Sequence, residues 1–235
     1  MTSCNLHHVE QNIVLINVDT LDREGIANQI SIINSLKPKV IALDLQFSTD
    51  TEYDKDTHLI QELDHCKNLV MLSIIENYTG EDIEYKRFEY GSLPDYATNA
   101  KTGFGNAILE KDEFQTLKRF SILEKVNVGY EYHFAIRTAM QFDSLKTMGF
   151  IKGKSRIIDV DYKDGKRKFK SFSANDILNK NLSEEDINGK IILMGYIGPT
   201  DEDKFYTPLN NKKNPIKPDM YGLVFMANII SQTLE

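Results

Sequence analysis

Short apolar runs recur along this chain, and several of them end on an acid. Residues 13–18 lead into Asp19, residues 40–43 into Asp44, and residues 69–75 into Glu76. A fourth run, 191–194, is introduced by the turn signal Asn188-Gly189 and opens into a loop holding Gly195, Gly198, Pro199, Asp201 and Asp203. Runs of this length bounded by turn residues read as buried strands. If the strands are parallel, the residues that follow them share one edge, which is where open α/β sheets gather ligand-binding groups.

Helical spacing fills the intervals. Ile26, Ile30, Ile33 and Leu36 form a stripe behind Asp22, a suitable N-cap, and Pro38 ends it. With the strands on either side, this predicts a parallel strand-helix-strand crossover. Residues 48–56 are polar and acidic and read as a loop before a helix over about 54–66. From 76 to 102 the pattern dissolves into Tyr78, Tyr85, Phe88, Tyr90 and Tyr96 among acids, a segment suited to contact with a ligand or partner or to sealing the sheet. The stretches 103–109 and 120–123, separated by a polar turn at 110–113, predict two antiparallel strands with Lys118 and Arg119 at the start of the return. Residues 131–145 read as a helix that turns Phe134, Ala135, Thr138 and Phe142 inward. Residues 157–162 and 169–172 flank Asp164-Gly165, a strong hairpin signal. Ser173 or Asn175 caps a short helix carrying Ile177 and Leu178, and residues 210–219, with Pro215 and Pro218, predict an irregular crossing. Residues 222–234 read as a helix with Leu223, Ala227, Ile230 and Leu234 on one side. The sum is a polar tail over 1–12 and a single α/β domain over 13–235, its central mixed, largely parallel sheet flanked by helices and extended by antiparallel hairpins.

Composition narrows the class. A chain of 235 residues with 41% hydrophobic and 27% charged residues can bury a core and is not disordered. The net charge of −7 argues against nucleic acid as a partner. The local basic run 163–170 reads as a solvated hairpin tip. Cys4 and Cys66, one terminal and one in a predicted helix, establish neither a disulfide nor a reducing compartment. No window approaches a membrane span, and no signal peptide is apparent. The last helical pattern reaches Glu235 without a stop signal, which reads as a piece of a longer chain.

Candidate chemistry is sparse. His7 and His8 lie in a terminal segment with no fixed neighbours to complete a coordination shell. His58, Glu62 and His65 share one helix face, and this reads as a polar outer stripe rather than a zinc site, since no fourth ligand is indicated. His133 reads as a satisfied or exposed side chain. The order Asn17-Val18-Asp19 resembles the paired aspartates of haloacid-dehalogenase phosphatases, but the nucleophile's place is taken by an amide. A metal-dependent hydrolase using Asp19, Asp44 and Asp203, with Asp201 nearby, remains the enzymatic alternative, through oxygen ligation of a divalent cation. Against it, Asp19 and Asp44 serve equally as turn and helix-start acceptors. Gly195-Tyr196-Ile197-Gly198 lacks the lysine and hydroxyl ending of a nucleotide-binding loop. No nucleophile elbow is present, and no metal or cofactor is called for.

The ordered combination of segments resembles the second type of CHASE domain, the cyclases and histidine kinases associated sensory extracellular family. The matching pieces begin with residues 13–19, 38–47 and Gly103-Phe104-Gly105-Asn106, and continue through residues 172–178 and 188–195. Asp203, Thr207-Pro208, Met220-Tyr221-Gly222-Leu223 and Ala227-Asn228-Ile229-Ile230 complete them. The family's glycine-histidine-valine-asparagine is Gly103-Phe104-Gly105-Asn106 here, its paired arginines are Lys118-Arg119, and its histidine before alanine-asparagine is Met226. The resemblance implies a non-catalytic sensory module outside a bacterial cytoplasmic membrane, tied through spans outside this sequence to a cytoplasmic output. On this reading a small-molecule or ion ligand, of unknown identity, meets the strand-end loops at Asp19, Asp44, Gly195, Gly198, Asp203 and Thr207. A homodimer is compatible with the sequence.

Overall fold

The computed structural model describes residues 9–47, 53–81, 84, 87–88, 97, 99–127, 129–210 and 217–235. In chain order the first elements are β1 (Val9–Asn17), α1 (Arg23–Ser35), β2 (Val40–Leu43), α2 (Tyr53–His65), β3 (Leu69–Ile75), β4 (Arg87–Phe88) and β5 (Lys101–Phe104). There follow β6 (Ile108–Leu109), β7 (Leu117–Ser121), β8 (Leu123–Val126), β9 (Gly129–Tyr132), α3 (Phe134–Phe142), α4 (Ser144–Ile151) and β10 (Ile157–Asp159). The chain closes with β11 (Lys168–Phe172), α5 (Ala174–Leu178), α6 (Glu184–Ile187), β12 (Ile191–Gly195), β13 (Lys204–Phe205), β14 (Met220–Tyr221) and α7 (Gly222–Leu234).

Six of the strands form one parallel sheet in the order β11-β1-β12-β2-β3-β5, and β4 adds to the end of β3 in the antiparallel sense. The crossover β1-α1-β2 is present and parallel, as its pattern predicts, with α1 capped by Asp22, whose side chain accepts from Gly25 N at 2.8 Å. The two strands are not neighbours, because β12 enters between them from much later in the chain. The mixed α/β architecture stands as expected, with small antiparallel pairs β7-β10, β6-β7, β8-β9 and β13-β14 attached.

The buried runs divide by the period of two that a strand imposes. Ile13, Leu15, Val40, Ala42, Val70, Leu72, Ile191 and Leu193 face α3 and α7. Val14, Ile16, Ile41, Leu43, Leu69, Met71, Ile192 and Met194 face the opposite layer, which holds α1, α2 and α5. Each fully buried aliphatic chain contributes roughly 1.5–3 kcal/mol, so a strand buried on both faces anchors two layers at once. Ser173 caps α5 through a capping box with Asp176, and Ser183 with Asp186 repeats the device at α6.

Several expectations are corrected. Residues 103–109 and 120–123 do not form one hairpin: Phe104 ends β5, a parallel strand of the main sheet, and only β6 pairs with β7. The helix expected over 131–145 begins at Phe134, because Glu131 belongs to β9, and it breaks at Asp143, which caps α4 by accepting from Lys146 N at 2.9 Å. Asp164-Gly165 makes a left-handed turn (φ 50° and 72°), but the flanking strands leave for different sheets. Here β10 pairs with β7 and β11 pairs with β1. The basic run is therefore not a hairpin tip, and its Arg167 is buried. Residues 1–8, 48–52 and 211–216, and with them His7, His8 and Pro215, lie outside the described residues, as do Tyr85, Tyr90 and Tyr96.

Candidate functional site

The parallel sheet brings the strand-end groups to a single rim. Asn17 closes β1 opposite Gly195 of β12, and Leu43 of β2 pairs with Met194, so Gly195 ends one of three neighbouring strands and Asp19 and Asp44 follow the other two at the same edge. Backbone bonds tie these exits together: Val18 N donates to Gly195 O at 3.0 Å and Asp44 N to Met194 O at 2.8 Å. Asn17 braces them further, its side-chain oxygen accepting from Asp19 N and from Ile197 N, each at 2.9 Å. An amide here is a loop clamp, not a failed nucleophile.

Asp44 and Asp203 form the electrostatic centre of the rim. Loss of hydration, reinforced by the nearby Asp203 charge, pushes the Asp44 carboxyl up to about 7. Asp203, an exposed residue, is pushed up to about 6, chiefly by the partial loss of hydration of its carboxylate against the protein, with a backbone N–H of Gly222 acting in the opposite sense. It holds a left-handed backbone (φ 59°) and its carbonyl accepts from Gly222 N at 2.9 Å. Two carboxyl groups thus meet at the start of α7, and two glycines make room for them. A Cβ on Gly222 would fall 2.9 Å from Asp203 Oδ2, and one on Gly195 would fall 2.7 Å from Leu223 Cδ1 and 3.2 Å from Asp44 Cβ.

From there α7 crosses the sheet to the far edge. Its side chains are buried nearly all round, including Phe225, Met226 and Ile229 in addition to the expected stripe, because α3 and α4 cover what the sheet does not. At the far edge Ser231 Oγ donates to Glu10 Oε2 at 2.7 Å, fixing the last turn of α7 to the first residues of β1.

The remaining candidates are placed differently. Asp19 is exposed on a left-handed residue beyond β1. Gly198 lies under the Tyr196 ring, and its carbonyl accepts from the Tyr221 hydroxyl, which also donates to Thr200 O at 3.1 Å. Thr207 is buried and committed to Asp219, donating from N at 2.9 Å and from Oγ1 at 2.6 Å. His58, Glu62 and His65 do share a face, where His58 Nδ1 lies 2.8 Å from Glu24 Oε1. Among the described residues no group of three histidines, cysteines or acids is placed to hold a metal ion. Cys66 is a buried thiol, pushed up to about 12 mainly by burial.

Sequence reasoning missed one polar centre and left a second, His133, open between a satisfied and an exposed side chain. Glu124, fully buried, accepts from Arg156 Nη1 at 2.5 Å and from the Tyr78 hydroxyl at 3.2 Å. Buried His133 caps α3 through Nδ1, which accepts from Ala135 N at 3.3 Å, and its ring packs between Phe104 and Phe120. Both depend on partners distant in sequence. The cap alone had a local signal, a polar residue just before an apolar helical run.

The molecule is an α/β domain whose polar strand-end rim is joined to a buried helix. The CHASE2 domain profile matches residues 10–235, so the chain belongs to the CHASE2 domain family, a family of sensory extracellular domains, and its role is sensory. No curated protein and no solved structure matches the chain. Among the described residues no helix is long and apolar enough to cross a membrane.

Proposed function

We propose that the chain from β1 onward, with residues 9–12 belonging to that strand and not to a polar tail, forms the ligand-sensing, non-catalytic input domain of a bacterial transmembrane receptor. It sits on the extracytoplasmic (periplasmic) side of the cytoplasmic membrane. A small molecule or ion binds at the strand-end loops that carry Asp19, Asp44, Gly195, Gly198, Asp203 and Thr207, and α7 carries the change toward membrane spans outside this sequence and a cytoplasmic output. The observation that supports this most is the course of α7. Its first residues pack on Gly195 and Asp203, and its last turn is bonded to the first residues of β1 at the opposite edge. A ligand that prefers one arrangement of the rim therefore biases a rigid rod whose last turn is bonded to the start of β1.

Binding to the native state raises apparent stability by mass action, by about 2.7 kcal/mol at a hundredfold excess over Kd. A thermal-shift screen of small molecules and divalent cations on wild type and on Asp203→Asn is expected to find a binder whose effect the substitution reduces. Turnover of generic phosphoesters that depends on a divalent cation and disappears in Asp19→Asn, Asp44→Asn or Asp203→Asn would replace this reading with the metal-dependent hydrolase.

A further inference from the structure

The β8-β9 hairpin sorts its side chains by strand period. Its register puts Leu123 beside Tyr132 and Lys125 beside Tyr130 on one face, and Glu124 beside Glu131, both buried, on the other. On the first face Tyr130 is 67% exposed. That face forms one wall of a cavity of about 420 Å³, and the second wall is the end of α4 with the turn into β10, carrying Ile151, Lys154, Ser155 and Arg156. The walls join where Ile122 N donates to Arg156 O at 2.8 Å. Small-molecule sites occupy about 300–1,000 Å³ and combine apolar and aromatic walls with a few placed polar groups, and this cavity has that make-up. It shares no residue with the strand-end rim.

Charge within the cavity does not cancel. Three cations line it, and two of them are answered by acids. Both oxygens of Glu124 accept from Arg156 Nη1 at 2.5 Å, while Arg156 Nη2 donates to Gly80 O at 3.0 Å. Lys125 Nζ lies 3.1 Å from Glu84 Oε2. Lys154 differs. Its ammonium rests 4.6 Å from the centre of the Phe150 ring, and among the described residues no carboxylate lies within ion-pair distance of it. A ring face attracts a cation without taking up its N–H donors as an oxygen would, so those donors remain available to an oxyanion. Ser155, the next residue, is exposed, and among the described residues its hydroxyl has no hydrogen-bond partner. Among the described residues no acid lines the cavity, so a single positive charge is left over beside apolar and aromatic walls.

We infer that this cavity is a second binding site, for a small aromatic monoanion whose ring lies against Tyr130, Leu123 and Ile151 and whose anionic group meets Lys154 Nζ and the Ser155 hydroxyl. An aromatic body suits a wall that presents two tyrosines, since ring pairs add attraction beyond the area they bury. One negative charge suits the surplus of one. A second would have to displace Glu84 from Lys125 or buried Glu124 from Arg156. The inference stands independently of the strand-end reading, because neither site contributes a side chain to the other.

The test is calorimetric titration of the 235-residue chain with 2-naphthoate, with 2-naphthamide as its neutral counterpart and 2-naphthyl phosphate as a dianion. The acid should bind about tenfold tighter than the amide, the size of one hydrogen bond to a charged group, and the phosphate no tighter than the acid. Lys154→Gln should weaken the acid by roughly tenfold and leave the amide unchanged, while Lys154→Arg keeps most of the acid's affinity. Tyr130→Ala should weaken acid and amide alike, by roughly fivefold. Both substitutions fall on exposed side chains, so the circular dichroism and melting of each variant should match wild type. The assignment is overturned if 2-naphthoate does not bind, if acid and amide bind equally, or if Lys154→Gln or Tyr130→Ala leaves the acid's affinity intact. Tighter binding of the phosphate overturns the single-charge ligand class.

Discussion

Asn106 substitutes for a length of backbone. Its side-chain oxygen accepts from Ile75 N at 2.7 Å and its amide donates to Ile75 O at 2.9 Å, so one side chain continues the pairing of β3 just after β5 ends. Asn106→Asp keeps the size but cannot donate, and it sets a carboxylate against a carbonyl. A part-buried group left without its partner costs about 1–3 kcal/mol, and this substitution should lower unfolding free energy by about that amount in urea titration. A loss within error would show that water replaces the amide. Asn106 falls within the family pattern, yet its role is not legible there, since Ile75 is far away in sequence. By contrast, Asp22 and Ser173 were recognisable as caps because each acts on a backbone N–H three residues ahead. Local chemistry is readable, and pairing across the fold is not.

The same division appears among elements. Strands β1, β2, β3 and β12 were evident as apolar runs, and β5 was misassigned because Lys101 and Thr102 leave it only two buried residues. Asp164-Gly165 gave the turn that its residues favour, but edge availability on two sheets decided where the strands went. Helix α7 was legible in position and not in depth, since its period shows one apolar side and its burial depends on α3 and α4. Its seat at the rim makes a prediction for the pair Gly195 and Leu223. Gly195→Ala places a methyl against Leu223 and should cost about 1–3 kcal/mol by overpacking. Leu223→Ala alone should cost about 2–5 kcal/mol as a cavity. Together they should cost less than the sum, by at least about 0.5 kcal/mol in a double-mutant cycle, because the shortened side chain vacates the space the methyl needs. Strict additivity would show that Gly195 meets its constraint elsewhere, at Asp44.

Across the whole molecule, one half-buried carboxyl and one fully buried imidazole set opposite responses to pH. Asp44 binds its proton more tightly when folded, at about 7 against an ordinary 3.8, so the folded chain holds a proton that the unfolded chain has released. Stability is therefore lost as pH rises from about 4 to about 7. His133 is shifted the other way, from 6.5 down to about 3 by burial, and the unfolded chain takes up a proton that the folded ring refuses. Stability is lost from this group as pH falls from about 6.5 toward 3. Asp44→Asn removes the first effect, and His133→Asn removes the second while keeping an acceptor at the helix start. Plotted as variant minus wild type between pH 4.5 and 8, the unfolding free energy of Asp44→Asn should climb with rising pH, and that of His133→Asn should climb with falling pH below about 6.5. The two difference curves must slope in opposite directions whatever constant offset packing adds to each. Parallel or flat curves would mean that water reaches one of these groups, and if that group is Asp44, the electrostatic centre assigned to the rim would be lost with it.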